Sequence, residues 1–131
     1  MINREEIQAH FPGKGTHYDV IVCGGGPAGF GAAMASAKTG AKTLLLEARS
    51  FFGGVAATSL WMPMNRLKLH GESRGGIHGL LCEKLESFGE LGCRPGKTTW
   101  TDGDGLHVHP DYLKLAIMEL LEEAGCDYRL N

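Results

Sequence analysis

Residues 18–29, Tyr18-Asp19-Val20-Ile21-Val22-Cys23-Gly24-Gly25-Gly26-Pro27-Ala28-Gly29, decide the fold. The run through Cys23 is β-branched and apolar, the composition of a parallel strand buried on both faces. Gly24-Gly25-Gly26 then makes a turn, and Pro27 has the position of a first helical residue, where its missing N–H does no harm. The small residues Ala28, Ala32, Ala33, Ala35 and Ala37 continue that helix until Gly40 stops it. Lys42-Thr43-Leu44-Leu45-Leu46-Glu47 reads as a second buried strand with a carboxylate at its end. Strand, helix and strand within about 30 residues make a βαβ unit with a right-handed crossover.

Inside that unit, Gly24-x-Gly26-x-x-Gly29 follows the strand directly and opens the helix, and Glu47 comes 18 residues after Gly29. A dinucleotide-binding fingerprint needs this context. Gly24 lets the chain turn sharply, Gly26 leaves room for a pyrophosphate against the backbone, and Gly29 lets helix and strands pack closely. The helix start offers unpaired N–H groups and a partial positive charge to phosphates, and Glu47 can accept hydrogen bonds from ribose hydroxyls. A carboxylate there disfavours a 2′-phosphate, so an NADP-type cofactor does not suit the site. The fingerprint serves NAD and FAD alike. A second cluster, Glu47 to Gly54, brings the pair Gly53-Gly54 just after the acidic residue, where a second loop can approach an extended cofactor.

Further along, Ala48 to Arg74 shows little periodicity and reads as a long connection. Ile77, Leu80, Leu81, Leu85 and Phe88 recur at helical spacing, and Gly89 and Gly92 end that helix. Cys93 to His107 is polar and glycine-rich and fits a hairpin, with Thr98-Thr99-Trp100-Thr101 as a short strand. Pro110 and Asp111 open a helix with Leu113, Ile117, Leu120 and Leu121 on one face, which Gly125 stops. Cys126 to Leu130 reads as a third strand. At the other end, Asn3 and Glu6 form a capping box for a short helix over Arg4 to His10, before Pro12.

Composition narrows the function classes. In 131 residues, 13 Lys+Arg against 15 Asp+Glu give a net charge of −2, so nucleic acid and anionic membrane surfaces are not expected partners. No apolar stretch approaches the roughly 20 residues of a transmembrane helix, and Met1-Ile2-Asn3-Arg4-Glu5-Glu6 lacks the order of a signal peptide; a cytoplasmic location is expected. Twenty glycines, where average usage gives roughly nine, cluster between periodic segments and mark loops of close approach. Cys23, Cys82, Cys93 and Cys126 show no metal-ligand spacing and read as buried or half-buried free thiols, with no metal expected.

The stretch from Tyr18 to Leu60, YDVIVCGGGPAGFGAAMASAKTGAKTLLLEARSFFGGVAATSL, closely resembles the N-terminal region of FAD-dependent oxidoreductases of the glutathione-reductase-like flavoprotein class. The later stretch from Gly75-Gly76-Ile77 through His109-Pro110-Asp111 to Gly125 is similar to the corresponding part of the same family, so the resemblance spans about residues 17–131. It implies an α/β, Rossmann-like FAD-binding half-domain with a parallel sheet ordered third, second, first strand. Residues 1–16 would be an N-terminal extension and 17–131 a partial FAD-binding domain. It also implies that Gly24, Gly26, Ala28 and Gly29 line the pyrophosphate, that Pro27 is among the cofactor-binding residues, that Glu47 holds the adenosine ribose, that Arg49 lies near the adenosine, and that Gly53-Gly54 borders the cofactor. In this family the first strand is central, so Val20-Ile21-Val22 would form an open edge in this chain. A further C-terminal portion or a partner chain is then expected to complete the protein.

The chain departs from its relatives in places. Val55-Ala56-Ala57-Thr58-Ser59 stands where disulfide reductases carry a redox cysteine pair, Val55 takes the place of an arginine usual in amine-oxidase-like members, and His109 replaces the usual Asp before Pro110. Catalytic residues are not assigned. His70, His78, His107 and His109 are the titratable candidates, read first as surface or capping residues; Arg66 and Arg74 read first as surface charges, and Trp61 and Trp100 as core or pocket walls. The function expected is the FAD-binding part of a flavin-dependent oxidoreductase acting on a small-molecule electron donor or acceptor. An NAD-linked dehydrogenase and a non-catalytic nucleotide-binding module or subunit use the same fingerprint.

Overall fold

The computed structural model describes residues 17–59, 62–64, 68–69, 72–73, 75–98 and 101–131, with the backbone alone for 62–64, 68–69, 72–73, 95–98 and 101–105. The N-terminal helix over Arg4 to His10, the extension 1–16 and the candidates Trp61, Arg66, His70, Arg74 and Trp100 lie outside the described residues. In chain order the elements are β1 (Val20–Cys23), α1 (Pro27–Lys38), β2 (Thr43–Glu47), α2 (Gly54–Thr58), β3 (Met62–Met64), β4 (Lys68–Leu69) and β5 (Glu72–Ser73). There follow α3 (Gly76–Ser87), a 3-10 turn at Gly89–Leu91, β6 (Cys93–Thr98), β7 (Thr101–Val108), α4 (Pro110–Glu123) and β8 (Asp127–Leu130).

β1, β2 and β8 form a parallel sheet in that order, with Val20 opposite Thr43 and Leu44 opposite Asp127, so the third-second-first arrangement is the observed one. Phe30 and Met34 of α1, Leu85 of α3, and Leu113, Ile117 and Leu121 of α4 are buried in one core with Leu45 of β2. Lys84 of α3 pairs with Glu119 and Glu123 of α4, pinning the two helices at the surface.

The two strands of the βαβ unit differ in burial. Leu44 and Leu45 of β2 are 3% and 0% exposed, whereas Val20 and Ile21 of β1 are 37% and 57% exposed. The composition of β1 is that of a strand covered on both sides, but in this sheet β1 lies at an edge, which corrects the two-sided burial expected from its sequence and agrees with the expected open edge.

The segment from Ala48 to Arg74 is not a plain connection: it carries α2, β3, and a β4–β5 antiparallel pair. These strands are two or three residues long, too short for periodicity to show, and β3 is fixed by pairing with β7 far along the chain. β6 and β7 form the expected hairpin, longer than the Thr98–Thr101 strand and with an irregular register near Gly96 and Thr98. Cys82, Cys93 and Cys126 are buried, and burial pushes the Cys126 thiol above its ordinary pKa. Cys23 is exposed, because it belongs to the edge strand.

Candidate cofactor-binding site

Four short segments meet where β1 and β2 end: the turn Gly24-Gly25-Gly26, the start of α1, Glu47, and the loop Phe52-Gly53-Gly54. Gly24 N–H donates to Leu46 O at 2.7 Å, closing the parallel ladder, and Gly24 turns the chain at φ 101°, a left-handed conformation open to glycine. A Cβ on Gly29 would overlap the Gly24 carbonyl oxygen and stand 2.9 Å from its carbon. That contact is the close helix–strand approach expected of the third fingerprint glycine.

Gly26 is the N-cap of α1, in extended backbone and without a side chain to cap the helix; Pro27 follows, and the first turn holds no acid. The first intrahelical bond is from Phe30 N–H to Gly26 O at 2.9 Å, so the N–H groups of Ala28 and Gly29 precede the ladder. Pro27 and Ala28 are exposed. A helix start with free donors, the positive end of the helix dipole and no anionic side chain of its own is a surface suited to an anion. The nearest atom to a Cβ on Gly26 would be Gly54 Cα, 4.0 Å away, so the space beside Gly26 is open.

The second glycine pair supports the first. Gly53 N–H donates to Gly25 O at 2.8 Å, and a Cβ on Gly54 would come within 3.2 Å of Gly26 Cα. Gly53 is held at φ 104°, where a Cβ would lie 2.7 Å from that of Ala57. Gly53-Gly54 thus lies against the fingerprint turn.

Glu47 ends β2 with both carboxylate oxygens engaged: Oε2 accepts from Gly25 N–H at 2.6 Å and Oε1 from Arg49 N–H at 2.9 Å. Each oxygen keeps a further acceptor site for a hydroxyl. Arg49 is exposed, with its guanidinium 5.9 Å from the centre of the Phe51 ring and Lys114 Nζ 4.7 Å from the same ring. Phe51 therefore carries two cations in the loop that follows β2.

Sequence reasoning missed Gly25 and Phe52. Gly25 sits at an x position of the fingerprint, yet a Cβ there would overlap Phe52 Cδ1 and stand 3.2 Å from Glu47 Oε2. The signal lay outside the motif, in an aromatic residue beside the second glycine pair.

The histidine candidates among the described residues do not join this site. His78 on α3 has Nδ1 3.9 Å from Cys82 Sγ. His107 and His109 line a cleft of about 290 Å³ with Glu90, Cys93 and Arg94, which includes none of the fingerprint residues. His109 caps α4, Nδ1 accepting from Asp111 N–H at 3.2 Å, as its replacement of Asp implies.

Among the described residues, no helix is long and apolar enough to cross a membrane. The soluble pyridine nucleotide transhydrogenase of Marinomonas sp. (strain MWYL1) is 58% identical over 38 residues, 29% of this chain and 8% of that protein. The 3-oxosteroid 1-dehydrogenase of Mycolicibacterium smegmatis is 33% identical over 93 residues, 60% of this chain and 16% of that protein. The chain thus spans less than a fifth of the length of these curated relatives. In fold it is similar to the open conformation of a flavocytochrome c3 fumarate reductase (TM-score 0.58, 20% identity, 99% of this chain and 29% of that one). It is likewise similar to THI4 of Thermovibrio ammonificans (TM-score 0.57, 21% identity, 96% of this chain and 40% of that one). The profile of the FAD dependent oxidoreductase family matches residues 19–131, from the start of the sheet to Asn131, and the chain belongs to that family.

Proposed function

We propose that residues 17–131 are the part of a flavin-dependent oxidoreductase that holds the ADP half of FAD, with 1–16 as an extension before it. The observation that carries this reading is the start of α1: open space at Gly26, no capping side chain and no acid in the first turn. Gly24, Gly26, Pro27, Ala28 and Gly29 line the pyrophosphate, Ala28 and Gly29 donating their N–H groups. Glu47 accepts from the adenosine ribose through the lone pairs that Gly25 and Arg49 leave open, and its negative charge turns away a 2′-phosphate. Arg49 lies at the adenosine end, and Gly53-Gly54 borders the cofactor while bracing the turn.

Flavin, when bound, supplies the electron-carrying chemistry, and this chain's residues supply binding and orientation. The substrate is a small-molecule electron donor or acceptor, a reading that the near-neutral charge supports over nucleic acid or an anionic membrane, and the protein works in the cytoplasm. The exposed apolar edge of β1 supports pairing with a further strand, from additional chain or from a partner.

The test is titration with FAD and with NAD, followed by flavin fluorescence and calorimetry, in these 131 residues or a longer product of the same reading frame. FAD binding that is lost in Gly26→Val is expected, since a β-branched side chain would fill the space left for the pyrophosphate. Preference for NAD, or unchanged FAD affinity in that variant, would overturn the assignment.

A further inference from the structure

We infer that Phe52 is a positioning residue for the dinucleotide: its ring sets where the Gly25 peptide lies, and with it the start of α1. This rests on the FAD-binding reading above and extends it to a residue outside the fingerprint.

The Gly25 peptide is fixed from three sides. Its N–H donates to Glu47 Oε2 at 2.6 Å, its carbonyl accepts from Gly53 N–H at 2.8 Å, and its Cα faces the Phe52 ring, which a Cβ would overlap at Cδ1 and approach to 3.0 Å at Cε1. Gly25 does not adopt a left-handed φ, so conformation does not demand glycine there; the ring does. Nor can the ring easily yield. Phe52 is 1% exposed, belongs to the core, and meets the Tyr128 ring edge-on at 5.3 Å between centroids. Tyr128 is in turn held by its hydroxyl, which donates to Glu122 Oε1 at 2.7 Å. A line of packed groups therefore runs from β8 through Phe52 to Gly25, and the residue after Gly25 is the N-cap of α1. Adding a methyl group at Gly25 pushes the turn away from the ring, and the donors of Ala28 and Gly29 move with it.

The experiment is a size exchange measured on the FAD-binding form of the protein. Dissociation constants for FAD, ADP and adenosine are determined for the wild type, Gly25→Ala, Phe52→Leu and the double variant, alongside thermal melting without ligand. Gly25→Ala is expected to weaken FAD and ADP by about tenfold and adenosine, which lacks phosphate and feels the change only through Glu47, by about threefold or less. Phe52→Leu makes room, so the double variant recovers most of the loss. Additive losses in the double variant, equal losses for ADP and adenosine, or unchanged affinity in Gly25→Ala would each overturn the inference while leaving FAD binding by the wild type intact. A wild type that does not bind FAD would instead remove the reading on which it rests.

Discussion

Two helices of this chain begin with proline at the first helical position, α1 at Pro27 and α4 at Pro110, and they treat their free donors in opposite ways. At α4, His109 Nδ1 accepts from Asp111 N–H, and the Asp111 carboxylate sits in the first turn, bonded to Lys114 Nζ at 2.8 Å. At α1 the cap is Gly26, with no side chain and no acid in the first turn. Both helices face the same demand: before the first intrahelical bond, three N–H groups at each start lack an intrahelical acceptor, the proline having no N–H to satisfy. α4 satisfies it in part from its own sequence. α1 leaves it open beside two glycine-lined loops, and the proposed pyrophosphate site rests on that contrast.

The comparison can be sharpened first at Glu47, the acid bonded to the turn before α1, which belongs to β2 rather than to the helix. Glu47→Gln keeps the shape but removes the charge from the bond to Gly25 N–H and from the proposed bonds to a ribose; charge-assisted bonds contribute about 1.5–3 kcal/mol. FAD affinity should fall by roughly ten- to hundredfold, read by titration, at a conversion of about 1.4 kcal/mol per factor of ten. An unchanged dissociation constant would mean that Glu47 only ties β2 to the turn.

At α4 the expected effect is smaller and of another kind. His109→Ala removes a cap, so unfolding in urea should show a loss of about 1 kcal/mol. FAD affinity should stay within about twofold, which is less than 0.5 kcal/mol. A large loss of FAD binding there would break the distinction between the two helix starts.

The smallest effect concerns acid. The hydrogen bond from Lys114, and then its charge, hold Asp111 below the ordinary carboxylate value of 3.8. A folded pKa below the unfolded one contributes stability above pH 3.8 that is lost as pH falls through the folded value. Asp111→Asn should therefore flatten the stability curve slightly below that pH and leave its slope near neutrality unchanged. A steeper acid limb in the variant would reverse the sign and discard the argument.

The sequence made the βαβ unit legible because three signals agree there: β-branched runs, punctuating glycines, and a carboxylate at the end of the second strand. The same agreement located Gly24, Gly26, Gly29, Glu47 and the Gly53-Gly54 loop, which do converge in space. It failed where pairing is set from afar. β3, with a proline in a three-residue strand, has no alternation to read and depends on β7. Gly25 escaped notice for a related reason: its constraint comes from the Phe52 ring and not from backbone conformation. Composition alone points to two-sided burial of β1 because it reflects the environment a strand is suited to, whereas in this sheet Val20 and Ile21 lie at the edge that the family resemblance implies.

The most direct measurement makes α1 resemble α4. Gly26 has extended backbone that any residue adopts, and a Cβ there meets nothing closer than 4.0 Å, so Gly26→Asp should fold and cap the helix with its own carboxylate. The carboxylate would then occupy the anion's place and repel the diphosphate. FAD titration of the wild type and of Gly26→Asp, with circular dichroism to confirm that both are folded, should show at least a hundredfold weaker binding in the variant, a difference of about 2.7 kcal/mol. Equal FAD affinity in a folded Gly26→Asp protein would contradict the claim that the bare start of α1 holds the pyrophosphate.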